Sequence, residues 1–127
     1  MRSIFGILIL LSVASISEAR QSTVFTQIQI CRAAIAVAFG QDPKIIKVDR
    51  VTKGVVYMHY NRPDDGKYWD CKCKIKGNRA IWASPNERWR TEEIIEYTVI
   101  KDKLIVEDKY SDGSKTTGSY TQQQFVK

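Results

Sequence analysis

Three cysteines, one histidine, a row of basic residues and a tryptophan between two arginines are the side chains of this chain that could do chemistry. His59, flanked by Tyr57 and Tyr60, would act as a general base if a carboxylate oriented it and a nucleophile lay within reach. Asp64, Asp65 and Asp70 are its near neighbours in sequence. The surrounding residues nevertheless alternate as an ordinary half-exposed strand does. Cys71 and Cys73 are the candidate thiols for such a pair, and Cys31 is the third cysteine. A thiolate held in apolar surroundings is suppressed, so inward-facing cysteines make poor nucleophiles.

Metal and cofactor chemistry finds little support. Cys71-Lys72-Cys73 lacks the two-residue spacer of common zinc knuckles. The acidic turn Asp64-Asp65-Gly66 does not carry the ligand spacing of a calcium loop. No catalytic residue, metal or cofactor is expected.

Binding chemistry is better represented. Lys72, Lys74 and Lys76 alternate along one run, and Arg79 follows across a turn, so all four fall on one face as a positive stripe. The competing reading is a solvated strand face whose lysines deter edge pairing. Arg88-Trp89-Arg90, inside the polar stretch Asn86–Thr91, combines the residue types most enriched at interaction hot spots. Its competing reading is a tryptophan folded back as a plug over the open end of the sheet. The candidate binding residues are therefore Lys72, Lys74, Lys76, Arg79, Arg88, Trp89 and Arg90.

The elements that position these groups follow from hydrophobic periodicity. Val24, Ile28, Cys31, Ile35 and Ala38 or Phe39 recur at steps of three and four, which predicts a helix over residues 22–39 with Ser22 or Thr23 as N-cap. Gly40 stands where a left-handed cap belongs, and Pro43 opposes continuation. From residue 45 onward the pattern changes to short β-type runs at 45–52, 55–60, 67–76, 79–83, 93–100, 103–109 and 115–120. The run 67–76 has a strict period of two, with Trp69, Cys71, Cys73 and Ile75 on one side and Asp70, Lys72, Lys74 and Lys76 on the other. Trp69 and Trp82 read mainly as core.

All connections are short, so neighbouring strands should pair antiparallel as a meander. The expected fold class is α+β: an N-terminal helix packed on a twisted antiparallel sheet of six or seven strands, which a strong twist would curl toward a partial barrel. In that arrangement a bridge from Cys31 to Cys71 or Cys73 would tie helix to sheet. It would close a loop of about 40 residues, worth about 3–4 kcal/mol in the chain-entropy model. Three reduced, inert thiols are the alternative.

The ends and the composition bound the compartment. Arg2, the apolar run from Ile4 to Leu11 and the small residues of Ser17-Glu18-Ala19 form the three-part pattern of an export signal, residues 1–19, cleaved before Arg20. The run is too short for a membrane-spanning helix, which needs about 20 apolar residues. Residues 20–127 then form a single α+β domain, placed in the periplasm or secreted. The chain has 20 Lys and Arg against 14 Asp and Glu, a net charge of +6 that loss of Arg2 and Glu18 leaves unchanged. The charge points to an envelope protein or an anionic envelope polymer as partner, and export demotes nucleic acid.

Cys31-Arg32-Ala33-Ala34-Ile35-Ala36, Phe39-Gly40-Gln41-Asp42-Pro43 and Ile46-Lys47-Val48-Asp49 resemble a group of small exported proteins of Gram-negative bacteria. Arg62-Pro63-Asp64-Asp65-Gly66, Gly77-Asn78-Arg79 and Trp89-Arg90-Thr91 fit the same resemblance. The resemblance implies an envelope location and assigns no residue a role. The functional expectation is a non-enzymatic binding or inhibitor-type protein of the bacterial envelope. A structural or assembly accessory of an envelope complex is the alternative, and a hydrolase using His59 comes third.

Overall fold

Helix α1, Gln27–Phe39, starts five residues later than the periodicity suggests, because Thr26 rather than Ser22 or Thr23 caps it. The Gln29 backbone N–H donates to Thr26 Oγ1 at 3.2 Å, and the Thr26 N–H donates to Gln29 Oε1 at 3.0 Å. This reciprocal box satisfies two otherwise orphaned donors. Val24 is consequently outside the helix and 81% exposed. Gly40 ends α1 in the left-handed conformation, φ 66°, where a side chain would be strained.

The computed structural model describes residues 23–126; the export signal expected at 1–19 lies outside the described residues. After a single 3-10 turn at Pro43–Ile45 come seven strands: β1 Lys47–Thr52, β2 Val55–Asn61, β3 Tyr68–Lys76, β4 Arg79–Ala83, β5 Ile94–Ile100, β6 Lys103–Lys109 and β7 Lys115–Tyr120. They form one antiparallel sheet in sequence order, a meander, and it stays open rather than curling into a barrel. Short turns enforce this order: Lys53-Gly54, for example, takes positive φ at both positions (51° and 77°), the geometry of a tight hairpin.

The helix packs on one face of the sheet, against β2, β3, β4, β6 and β7. Ile35, Ile46, Val56, Met58, Ile95, Leu104 and Val106 are fully buried between the layers. Burial on α1 extends beyond a stripe to Ile30, Ala33, Ala34, Ala36 and Val37. The small alanines let the helix sit close, and the C-terminal 3-10 segment Gln122–Phe125 folds up beside it. Phe125 packs between Phe25 and Tyr120, with centroids 6.2 and 6.1 Å away.

Cys31 on α1 is bonded to Cys73 on β3, with 5.9 Å between their Cα atoms. Cys71 is left as a free, buried thiol. Trp69 departs from the expected core role. It shares the inner face but is 41% exposed, out beyond the end of the helix, where Phe39 and the Arg62 guanidinium reach its ring.

The ladder is interrupted at one place. Strands β4 and β5 pair at only two positions, Arg79↔Glu96 and Ala80↔Ile95. Beyond Ala80 the strands part, and the connecting segment enters the gap, with the Arg90 N–H donating to the Trp82 carbonyl at 3.1 Å.

Candidate functional site

The outer face of the sheet, opposite α1, carries the basic stripe. Cross-strand register aligns Lys72 with Ala83, Lys74 with Ile81 and Lys76 with Arg79. The segment after β4 turns back over this face, with Trp89 above the lysines. Nζ of Lys72 and of Lys74 lie 4.6 and 4.4 Å from its ring centroid. A tryptophan face attracts ammonium groups through its quadrupole, so the contact sets both lysines in place without neutralising them. Ile81 and Ala83 are buried on this face, separately from the main core cluster, although they point away from the helix. Trp89 is half-buried here and still shows part of its ring.

The other expected binding residues divide. Arg88 projects into solvent, with its side chain 81% exposed, and meets Glu92 at 3.4 Å. Lys76 is exposed at the strand end. Arg79 donates from Nη2 to the carbonyls of Thr91 and Glu93 at 3.0 and 3.3 Å, so it anchors the loop. Arg90 leaves the stripe altogether. Its guanidinium stacks 4.9 Å over the ring of Trp82, and its Nε lies 3.6 Å from Glu93. Alternation along the loop sends Trp89 and Arg90 to opposite sides.

His59 also lies on the outer face. Its Nδ1 is 2.7 Å from Asp49 Oδ1, and its ring stacks on Tyr68 at 5.2 Å. None of the three aspartates near it in sequence takes that role. Asp49 reaches it because β1 is bulged: Val48 pairs with Met58 and Arg50 with Tyr57, leaving Asp49 as the extra residue. A bulge has no signature in this alternation, so the partner was not legible. A shallow groove of about 210 Å³ runs nearby between Asp49, Tyr57, Tyr68 and Asp70. Cys71 sits on the other face, paired with Met58, and cannot meet His59. Burial, with Asp70 and Asp49 nearby, pushes its thiol up to about 12.

Among the described residues, no group of three or more His, Cys, Asp or Glu side chains is placed to hold a metal ion. No helix among them is long and apolar enough to cross a membrane. Asp108 is a residue that the sequence pattern did not single out: it is 1% exposed on the inner face of β6, at the β4–β5 gap. Its position in an alternating strand made the carboxylate legible as inward-facing only once the register was known.

Compared with known proteins, the chain matches no family model, no curated protein and no solved structure.

Proposed function

We propose that this is an exported, non-enzymatic binding protein, of the inhibitor type, that recognises an acidic protein of the bacterial envelope through the outer face of its sheet. The carrying observation is the Lys72–Trp89–Lys74 cluster. Two ammonium groups are held over one aromatic ring, and neither has an ion-pair partner among the described residues. An aromatic anchor flanked by unpaired cations is suited to a partner carrying carboxylates around an apolar spot. Lys76 and Arg88, at the margins, add long-range attraction that steers encounter and weakens with salt. The Cys31–Cys73 bridge suits an oxidising compartment, which agrees with export.

The test is affinity capture from an envelope extract with wild type and with the charge-reversed Lys72→Glu, Lys74→Glu variant, whose fold circular dichroism checks. A bound protein that wild type retains and the variant loses supports the proposal. Identical captures by the two would remove this face from consideration. A bound species that survives protease digestion would instead identify an anionic polymer as the ligand.

Strand addition, as an assembly accessory would use, is disfavoured at one edge by a specific feature. Edge strand β1 carries Lys47, Arg50 and the bulge at Asp49, which are devices that discourage a further strand from pairing.

A further inference from the structure

Where β4 and β5 separate, the gap opens into a cleft of about 470 Å³ beneath the C-terminal end of α1. That volume lies within the range of small-molecule sites, about 300–1,000 Å³. Its apolar wall is Ala38, Trp82 and Tyr110, and its polar wall is Glu92, Glu93 and Asp108.

Two buried polar atoms at this cleft lack hydrogen-bond partners. Trp82 Nε1 is a donor with no acceptor, and Asp108 Oδ1 is an acceptor that no N–H or O–H of the described residues reaches. Native proteins rarely leave such groups unpaired, and the exceptions ask for an explanation. Asp108 is nearly inaccessible, and its carboxyl neighbour is Glu93 rather than a cation. Burial first, and Glu93 second, push the Asp108 carboxyl up to about 7.

The protein already places a cation at this corner. Arg90 stacks on the Trp82 ring and pairs with Glu93, while its side chain remains 48% exposed. The chemistry of the corner is therefore that of a cation site, although Arg90 touches Trp82 and Glu93 without itself lining the cleft. Lys109, the other cation at the cleft, has its ammonium bonded to Glu96 at 2.6 Å.

We infer that the β4–β5 cleft binds a small organic cation: a primary ammonium with a hydrogen-bond acceptor beside it, carried on an apolar stem. The ammonium donates to Asp108 and Glu93, and the proton that the Asp108 carboxyl holds leaves to solvent. The neighbouring acceptor takes the Trp82 indole N–H, and the stem lies along Trp82 and Ala38. Arg90 competes for the same carboxylate and swings outward when the ligand enters. The site is independent of the lysine–tryptophan face on the opposite side of the sheet.

The experiment titrates the protein with phenylalaninamide, which carries an ammonium, a carbonyl acceptor and an apolar stem, by calorimetry and by the Trp82 indole N–H resonance. Saturable one-to-one binding that shifts this resonance is expected. 3-Phenylpropanamide, which lacks only the ammonium, should bind at least about tenfold more weakly. Asp108→Asn should weaken binding by about tenfold or more, Arg90→Ala should strengthen it several-fold, and Lys74→Glu should leave it unchanged. Should Asp108→Asn not fold, Glu93→Gln serves in its place. No saturable binding at millimolar ligand, equal binding of the uncharged amide, or wild-type affinity in a folded Asp108→Asn variant would each overturn the inference.

Discussion

Cys31 on the helix and Cys73 on strand β3 are covalently joined across 42 residues of sequence. Both are fully buried, so the bond runs through the core. It cross-links two layers that otherwise hold together mainly by apolar contact.

Opening this bond should cost about 4 kcal/mol, the chain entropy of a loop of that length. Urea unfolding of the oxidised protein and of Cys31→Ser measures it. A difference under about 1 kcal/mol would mean that the unfolded chain gains little freedom on losing the bond.

Cys71 should resist alkylation in the native protein. Its thiol is buried and pushed up to about 12, so almost no thiolate exists near neutral pH. Mass spectrometry after iodoacetamide treatment should find no adduct in native buffer and one in denaturant. Rapid labelling of the native state would place Cys71 at the surface.

Asp108 sets a pH dependence of stability. Its folded pKa is raised to about 7 from an ordinary value of 3.8, so between those values the native state holds a proton that the unfolded chain has released. Stability from this group is complete below the unfolded value and declines as pH rises toward the folded one, by a few kcal/mol in all. Glu93 and Glu92 face it from the connecting segment, Lys109 adjoins it on β6, and Arg90 partly offsets the repulsion through Glu93. Asp108→Asn should flatten the decline in melting temperature across that window; an unaltered slope would assign the decline to other groups.

Gly118 is required by close approach rather than by backbone angle. It lies opposite Val106 on β7, under the helix. A Cβ there would come within 2.6 Å of Val37 Cγ2 and 2.5 Å of the Tyr120 hydroxyl. Gly118→Ala should therefore lower stability by about 1–3 kcal/mol, the usual cost of overpacking. A variant that melts with wild type would show that α1 can retreat without loss.

Trp89→Ala should cost more than either lysine substitution. Each lysine contributes about 0.5–1 kcal/mol through the ring, whereas removing the half-buried ring forfeits both contacts and its own buried apolar area, a loss of about 2 kcal/mol. Chemical denaturation of Trp89→Ala, Lys72→Ala and Lys74→Ala separates these. Equal costs in all three would mean that burial of the ring itself contributes nothing.

Local chemistry was enough to specify most of the architecture. The alternation of residues 67–76 placed Cys73 inward and Lys72 and Lys74 outward, and the β3–β4 register agrees with it. Short turns left a meander as the simple topology, and the helix was the one amphipathic element available to cover it. The choice between Cys71 and Cys73 needed three dimensions, because both face inward and only the placement of α1 over β3 selects one. Likewise the Asp49–His59 pair depends on a bulge, and the separation of Trp89 from Arg90 depends on where the loop enters the gap after Ala80. Asp108 and Trp82, far apart in the chain, became neighbours of one cleft because β4 and β5 stop pairing. Periodicity reports which face a residue takes within its own element, while contacts between elements depend on register, bulges and strand separation, which arise only when the layers pack.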